Sequence, residues 1–193
     1  MRRDTAMNES DIWLPHMQQQ IFRSLLDAFS YPGRITACAN QSTSAWLALL
    51  TTLVDGETTL ADPQQLLDET WWPKLEARRA SPERAAFILL NGRNAPALQP
   101  NLGTLEAPEA GATILIRVDS LRRDATGDVN LFLTGPGIQR PVSIGVDGLH
   151  PAWIKARNDW VANFPLGVEM VLCDAQRFVA LPRSTRILMG VEA

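Results

Sequence analysis

Cysteine, histidine, lysine and tyrosine are all scarce in this chain of 193 residues, and each shortage closes off a class of chemistry. Cys38 and Cys173 are too few and too far apart for a disulfide framework or a zinc site. They read as buried, reduced thiols, as expected of a cytoplasmic protein. His16 and His150 each lie near a proline in a predicted connection, with no carboxylate at ligand spacing, so no metal is expected. Nothing marks Lys74 or Lys155 as a Schiff-base lysine; Lys155 falls in a predicted amphipathic helix, where a solvated lysine is the ordinary reading. There is no G-x-S-x-G, and neither cysteine has a histidine near it in sequence. Long apolar runs are missing too: none approaches the roughly eighteen residues of a membrane span. The opening "MRRDTAMNESDIWLP" has no apolar stretch behind its arginines, so it does not read as a secretory signal. A net charge of −3 offers no strong field for nucleic acid or an anionic membrane.

What the chain does have is arginine. With only two lysines among 18 basic residues, the other 16 are arginine. Its planar fork suits carboxylate and phosphate, so local clusters can hold an anion despite the net charge. The apolar fraction of 46% and the length fit one soluble domain with a real core.

Residues 1–15 read as a mobile arm ending at Pro15. Behind it, Met17, Ile21, Leu25 and Phe29 recur at i+4 with Phe22 and Leu26 beside them, the stripe of an amphipathic helix closed by Ser30-Tyr31-Pro32-Gly33. "STSAWLALLTTLVD" is a second helix, apolar on most sides, capped by Ser42 or Ser44 and stopped at Asp55-Gly56. Asp62-Pro63-Gln64-Gln65 predicts an N-cap, an N1 proline and a capping-box glutamine for a third helix through Trp71. "RAAFILLN", "ATILIRVDSL", "DVNLFLT" and "PVSIGV" read as strands, and "HPAWIKARNDWVANF" as a helix with Trp153, Ile154, Arg157, Trp160, Val161 and Phe164 on one side. "VEMVLCDAQRFVALP" is a β-hairpin turning at Asp174-Ala175-Gln176. Interleaved helices and at least six strands predict a single α/β domain, a mixed β-sheet covered by helices.

Four features invite a functional reading. "LTGPGI" places two glycines around a proline after a strand, the setting of many phosphate loops. Pro136 lacks the N–H such a loop needs, and the chain then continues extended rather than helical. The segment is therefore a tight turn. Glu109, just before a strand, is a candidate acid, base or anchor, and its bland counterpart is an acidic loop junction. Arg183 and Arg186 in "LPRSTR" flank two hydroxyls, a cluster suited to phosphate or equally to a solvated strand end. Trp71-Trp72-Pro73 cannot easily bury both rings in one core, which points to an interface anchor.

Five stretches carry a family resemblance: "FRSLLDAFSYPGRI" (22–35), "PEAGATILIRVDSL" (108–121), "LTGPGI" (133–138), "FPLGVEMVL" (164–172) and "ALPRST" (180–185). In order and spacing the chain resembles the PhnH family, the H subunit of the bacterial carbon–phosphorus lyase system for phosphonate breakdown. The resemblance runs from residue 20 to 187 and is looser between 56 and 105. It implies a fold like the large domain of PLP-dependent transferases, without PLP or any other cofactor. It implies a homodimer in isolation, joined to the G, I and J subunits in a core assembly. The linked reaction exchanges the adenine of ATP for an alkylphosphonate, giving ribose 1-phosphonate 5-triphosphate. The J subunit then cleaves the carbon–phosphorus bond with an iron–sulfur cluster, which two cysteines cannot hold alone. Within that frame the functional candidates are Ser30, Pro32, Gly33, Glu109, Gly135, Gly137 and Arg183, where the matching motifs leave regular structure. The alternatives are a structural scaffold of the assembly and a stand-alone PLP- or nucleotide-dependent transferase.

Overall fold

The computed structural model describes residues 9–40 and 42–190. Of the arm expected over residues 1–15, residues 1–8 lie outside that range, while Glu9–Trp13 forms a 3-10 turn whose Ile12 is fully buried. Helix α1 (Pro15–Ser30) follows, with proline at its start, where a missing N–H costs nothing. It buries Met17, Ile21, Leu25 and Ala28. Phe22 and Leu26, expected beside the stripe, instead face outward at 45% and 50% exposure. Strand β1 (Thr36–Ala37) leads to α2 (Ala45–Leu53), which buries six of its nine residues and so lies in an inner layer, as its all-round apolarity predicts.

After β2 (Thr59–Ala61) the predicted third helix does not form. Both Asp62 carboxylate oxygens accept backbone N–H groups, from Leu66 and Leu67, and Gln65 takes a positive φ of 54°. An aspartate that can cap a helix can equally organise a loop, and here the loop wins. Only one helical turn, α3 (Trp72–Leu75), appears before β3 (Arg78–Arg79). The tryptophan pair is not an exposed anchor either. Trp71 is buried under the Lys74 ammonium at 4.4 Å, and half-buried Trp72 lies under the Arg79 guanidinium at 4.2 Å.

The remaining elements are β4 (Phe87–Asn91), β5 (Thr113–Arg117), β6 (Ser120–Arg122), β7 (Val129–Thr134), β8 (Val142–Asp147), α4 (Ala152–Trp160), β9 (Glu169–Cys173), β10 (Arg177–Leu181) and β11 (Arg186–Met189). They build two sheets. The larger runs β1-β10-β9-β5-β4-β2-β3, parallel from β9 through β3, with β10 antiparallel to β9 in the predicted hairpin. The smaller, β11-β7-β8-β6, is antiparallel throughout. "ATILIRVDSL" is thus not one strand. It passes from one sheet to the other at Val118-Asp119, whose N–H groups bond Cys173 and Asp147 respectively.

Period-two alternation explains the layering. Leu89, Leu115, Val171, Cys173, Phe178 and Ala180 face α1 and α2, while their neighbours Ile88, Ile114, Ile116, Met170, Leu172 and Val179 face the small sheet and α4. The expected cover of helices therefore holds on one face, and the other is covered largely by a second sheet. Fully burying a leucine or isoleucine contributes about 1.5–3 kcal/mol, so central β5 alone anchors both layers. Leu115→Ala, which empties a site with no exposure, costs about 2–5 kcal/mol.

Candidate functional site

The Gly135-Pro136-Gly137 corner between β7 and β8 is the joint at which the matching motifs meet. The Ile138 N–H bonds the Gly135 carbonyl at 3.1 Å, and Gly137 has φ +79°, the arrangement of a turn with proline second and glycine third. A Cβ on Gly137 would collide with the Ser30 carbonyl, so the end of α1 rests directly on this turn. One added to Gly135 would come within 3.0 Å of the Ser184 carbonyl. Gly33, at φ +85°, packs where a Cβ would meet Leu133 at 2.8 Å. The predicted turn is present, and "SYPG" and "PRST" lie on either side of it.

A cleft opens on each side. One, of about 760 Å³, is lined by Tyr31, Pro32, Gly33, Gly137 and, as its charged groups, Arg34, Arg123 and Arg140, with no carboxylate in its lining. Arg34 lies over the Tyr31 ring at 5.5 Å, and Arg123 donates to the Ile35 carbonyl at 3.3 Å. Three guanidinium groups with no acid among the lining make a surface for a polyanion. Among the sequence candidates, Pro32, Gly33 and Gly137 belong here. Ser30 does not line the cleft; its hydroxyl donates to the Leu26 carbonyl at 2.8 Å within its own helix.

The other, of about 880 Å³, lies between α4 and residues 183–188 and is lined in part by Gly135, Arg157, Arg183, Thr185 and Arg186. Arg183 is committed to structure. Its Nε and its own backbone N–H both donate to the Glu169 carboxylate, at 2.5 and 2.8 Å, and Nη1 bonds the carbonyls of Pro108 and Pro165 at 2.7 and 2.9 Å. This ties the 108–111 turn, the segment before β9 and the end of β10 into one knot. Glu109 lines a shallower neighbouring hollow of about 410 Å³ with Arg183 and Glu169, and its own side chain is exposed.

Sequence reasoning missed three arginines, Arg34, Arg123 and Arg140, because they come from three separate turns. It also missed Arg157, although the helical pattern already put this cation on the apolar side of α4. Arg157 is 1% exposed, and burial brings its pKa down from the usual value to about 10 against the opposing pull of Glu169. It therefore keeps its charge at neutral pH. Both cysteines are buried, and burial pushes their thiols up, well up for Cys173, so neither offers a thiolate nucleophile. Lys155 is exposed and Lys74 is stacked on Trp71, so neither lines these clefts. No group of three or more His, Cys, Asp or Glu among the described residues is placed to hold a metal ion. None of the helices is long and apolar enough to cross a membrane among the described residues.

Fold and clefts together define a mixed α/β protein with arginine-lined clefts around a glycine corner. Residues 11–188 match the family described as bacterial phosphonate metabolism protein (PhnH), and the chain belongs to that family. It is 45% identical over 176 residues to HtxG of Stutzerimonas stutzeri, named a C-P lyase subunit protein, covering 91% of this chain and 88% of that protein. It is also 28% identical over 195 residues to the PhnH subunit of alpha-D-ribose 1-methylphosphonate 5-triphosphate synthase from Rhizobium meliloti (strain 1021), covering 88% and 89% of the two chains.

Proposed function

We propose that this chain is a subunit of a carbon–phosphorus lyase system. In it the chain supports transfer of an alkylphosphonate to the ribose C1 of ATP with release of adenine, and it is not active alone. The observation that carries the reading is the acid-free cleft of Arg34, Arg123 and Arg140, which suits a substrate bearing both a phosphonate and a triphosphate. Family membership and the names of the two relatives supply the reaction class. Its partners are a second copy in isolation and the G, I and J subunits in the assembly, on a fold like the large domain of PLP-dependent transferases used without PLP. Pro32, Gly33 and Gly137 shape the cleft, Ser30 supports its corner, and Gly135, Glu109 and Arg183 set the adjoining walls.

The test is an omission assay with the purified partner subunits. Removing this chain abolishes the ribose 1-phosphonate product, and Arg34→Ala/Arg140→Ala lowers product formation at least tenfold while the assembly still co-purifies. Full activity of that assembled double variant would remove the cleft from the reaction.

A second reading, a non-catalytic scaffold, is favoured by one feature. Phe22 and Leu26, about one turn apart on α1, are both exposed, with Trp13 and Leu14 exposed just before its start and Tyr31 just after its end. Such a face marks a docking surface. Under this reading Phe22→Ser/Leu26→Ser dissolves the assembly, and the arginine variants change nothing.

A further inference from the structure

The larger cleft contains an imbalance that the proposed reaction does not use. Arg157 is buried with no carboxylate in salt-bridge range among the described residues; its Nη2 donates to the Pro182 carbonyl at 2.5 Å and Nη1 to Asn158 Oδ1 at 3.3 Å. Its Nε has no partner among the described residues. Thr185, 2% exposed, lines the same cavity, and its hydroxyl also has no partner among them. Leaving a buried donor unmade costs about 1–3 kcal/mol, more for a charged group, so two in one wall call for an occupant. The lining also holds Ser184, Arg183 and exposed Arg186 and contains no aspartate or glutamate. Arg183 is paired with Glu169, and among the described residues Arg157 and Arg186 have no carboxylate in salt-bridge range.

We propose that this cavity is a second anion site, binding one small tetrahedral oxyanion of the phosphate type between Arg157, Thr185, Ser184 and Arg186. The hydroxyl and guanidinium donors match such an anion's several acceptor oxygens. Arg186 and Ser184 meet it first, and the two buried groups engage by rotamer adjustment. Val161, Phe164 and Leu188 form an apolar rim above them, Phe164 at 68% and Leu188 at 66% exposure, so one substituent of the anion is accommodated outward. The site is distinct from the Arg34, Arg123 and Arg140 cleft across the glycine corner.

Calorimetric titration of the isolated chain with inorganic phosphate, methyl phosphate and methylphosphonate, at fixed ionic strength, tests this. The expected result is saturable binding, of one anion per chain once the first cleft is removed by Arg34→Ala/Arg140→Ala. Thr185→Val weakens it about tenfold, the loss of one hydrogen bond to a charged partner, and Arg34→Ala/Arg140→Ala leaves this binding event in place. Preference for the methylated anions by about fourfold identifies a substituted ligand seated against the apolar rim; preference for phosphate identifies the free ion. No saturable binding by the unaltered chain, or binding indifferent to both Thr185→Val and Arg157→Lys, overturns the proposal. Should Arg157→Lys not fold, Thr185→Val decides alone. Because the readout is binding by the chain itself, failure here and failure of the omission assay are separate results.

Discussion

Arg183 and Arg157 line the same cavity and are treated in opposite ways. Around Arg183 four hydrogen bonds close on one carboxylate and two backbone carbonyls, so side chain and loops are locked together. Around Arg157 the chain has buried a cation against one carbonyl and one amide oxygen and, among the described residues, left a donor unused. A guanidinium in a cavity wall therefore says little about function by its presence. What separates a structural arginine from a binding one is whether the fold has already spent its donors.

The contrast can be broken most violently at Arg183. Arg183→Ala strands Glu169 and two carbonyls, and a loss of about 3 kcal/mol in unfolding free energy is expected from urea denaturation. Gly111→Ala attacks the same knot from the other side. Its Cβ would run into the Gly167 carbonyl and lie 3.1 Å from Arg183 Nη2, an overpacking cost of about 2 kcal/mol by the same measurement. At Thr185 the sign reverses. Thr185→Val removes a hydroxyl with no partner among the described residues at constant shape, so the ligand-free protein should be unchanged or up to about 1 kcal/mol more stable. A clear destabilisation there would show that the hydroxyl is already satisfied and would dissolve the difference between the two regions.

Much of the fold was legible in the residues. The hairpin at Asp174, the buried strand "FILLN" and the inner helix "AWLALLTTL" all carry signals that tertiary packing reinforces. Asp174 does more than turn the chain. Its carboxylate also accepts the Leu121 N–H, stitching the hairpin to the second sheet. The sheet switch at Val118-Asp119 was invisible because apolar alternation runs straight through it. The false helix at residues 62–71 came from a capping signature that loops share. Strand β11 hid behind "LPRST", whose hydroxyls and proline read as an ending. Of the site, glycine chemistry was readable at Gly135 and Gly137, since positive φ leaves a compositional mark. Arginines drawn from three turns leave none, because only folding brings Arg34, Arg123 and Arg140 together.

The outer strands of the large sheet have a consequence for how this chain keeps company. At one end the ladder stops at β3, two residues long, both exposed arginines; at the other it stops at two-residue β1. Two such short borders, one of them charged, offer a foreign strand little to zip onto. The large sheet is thereby guarded against growing through its backbone, and association along it is left to faces where side-chain identity, and hence choice of companion, is written.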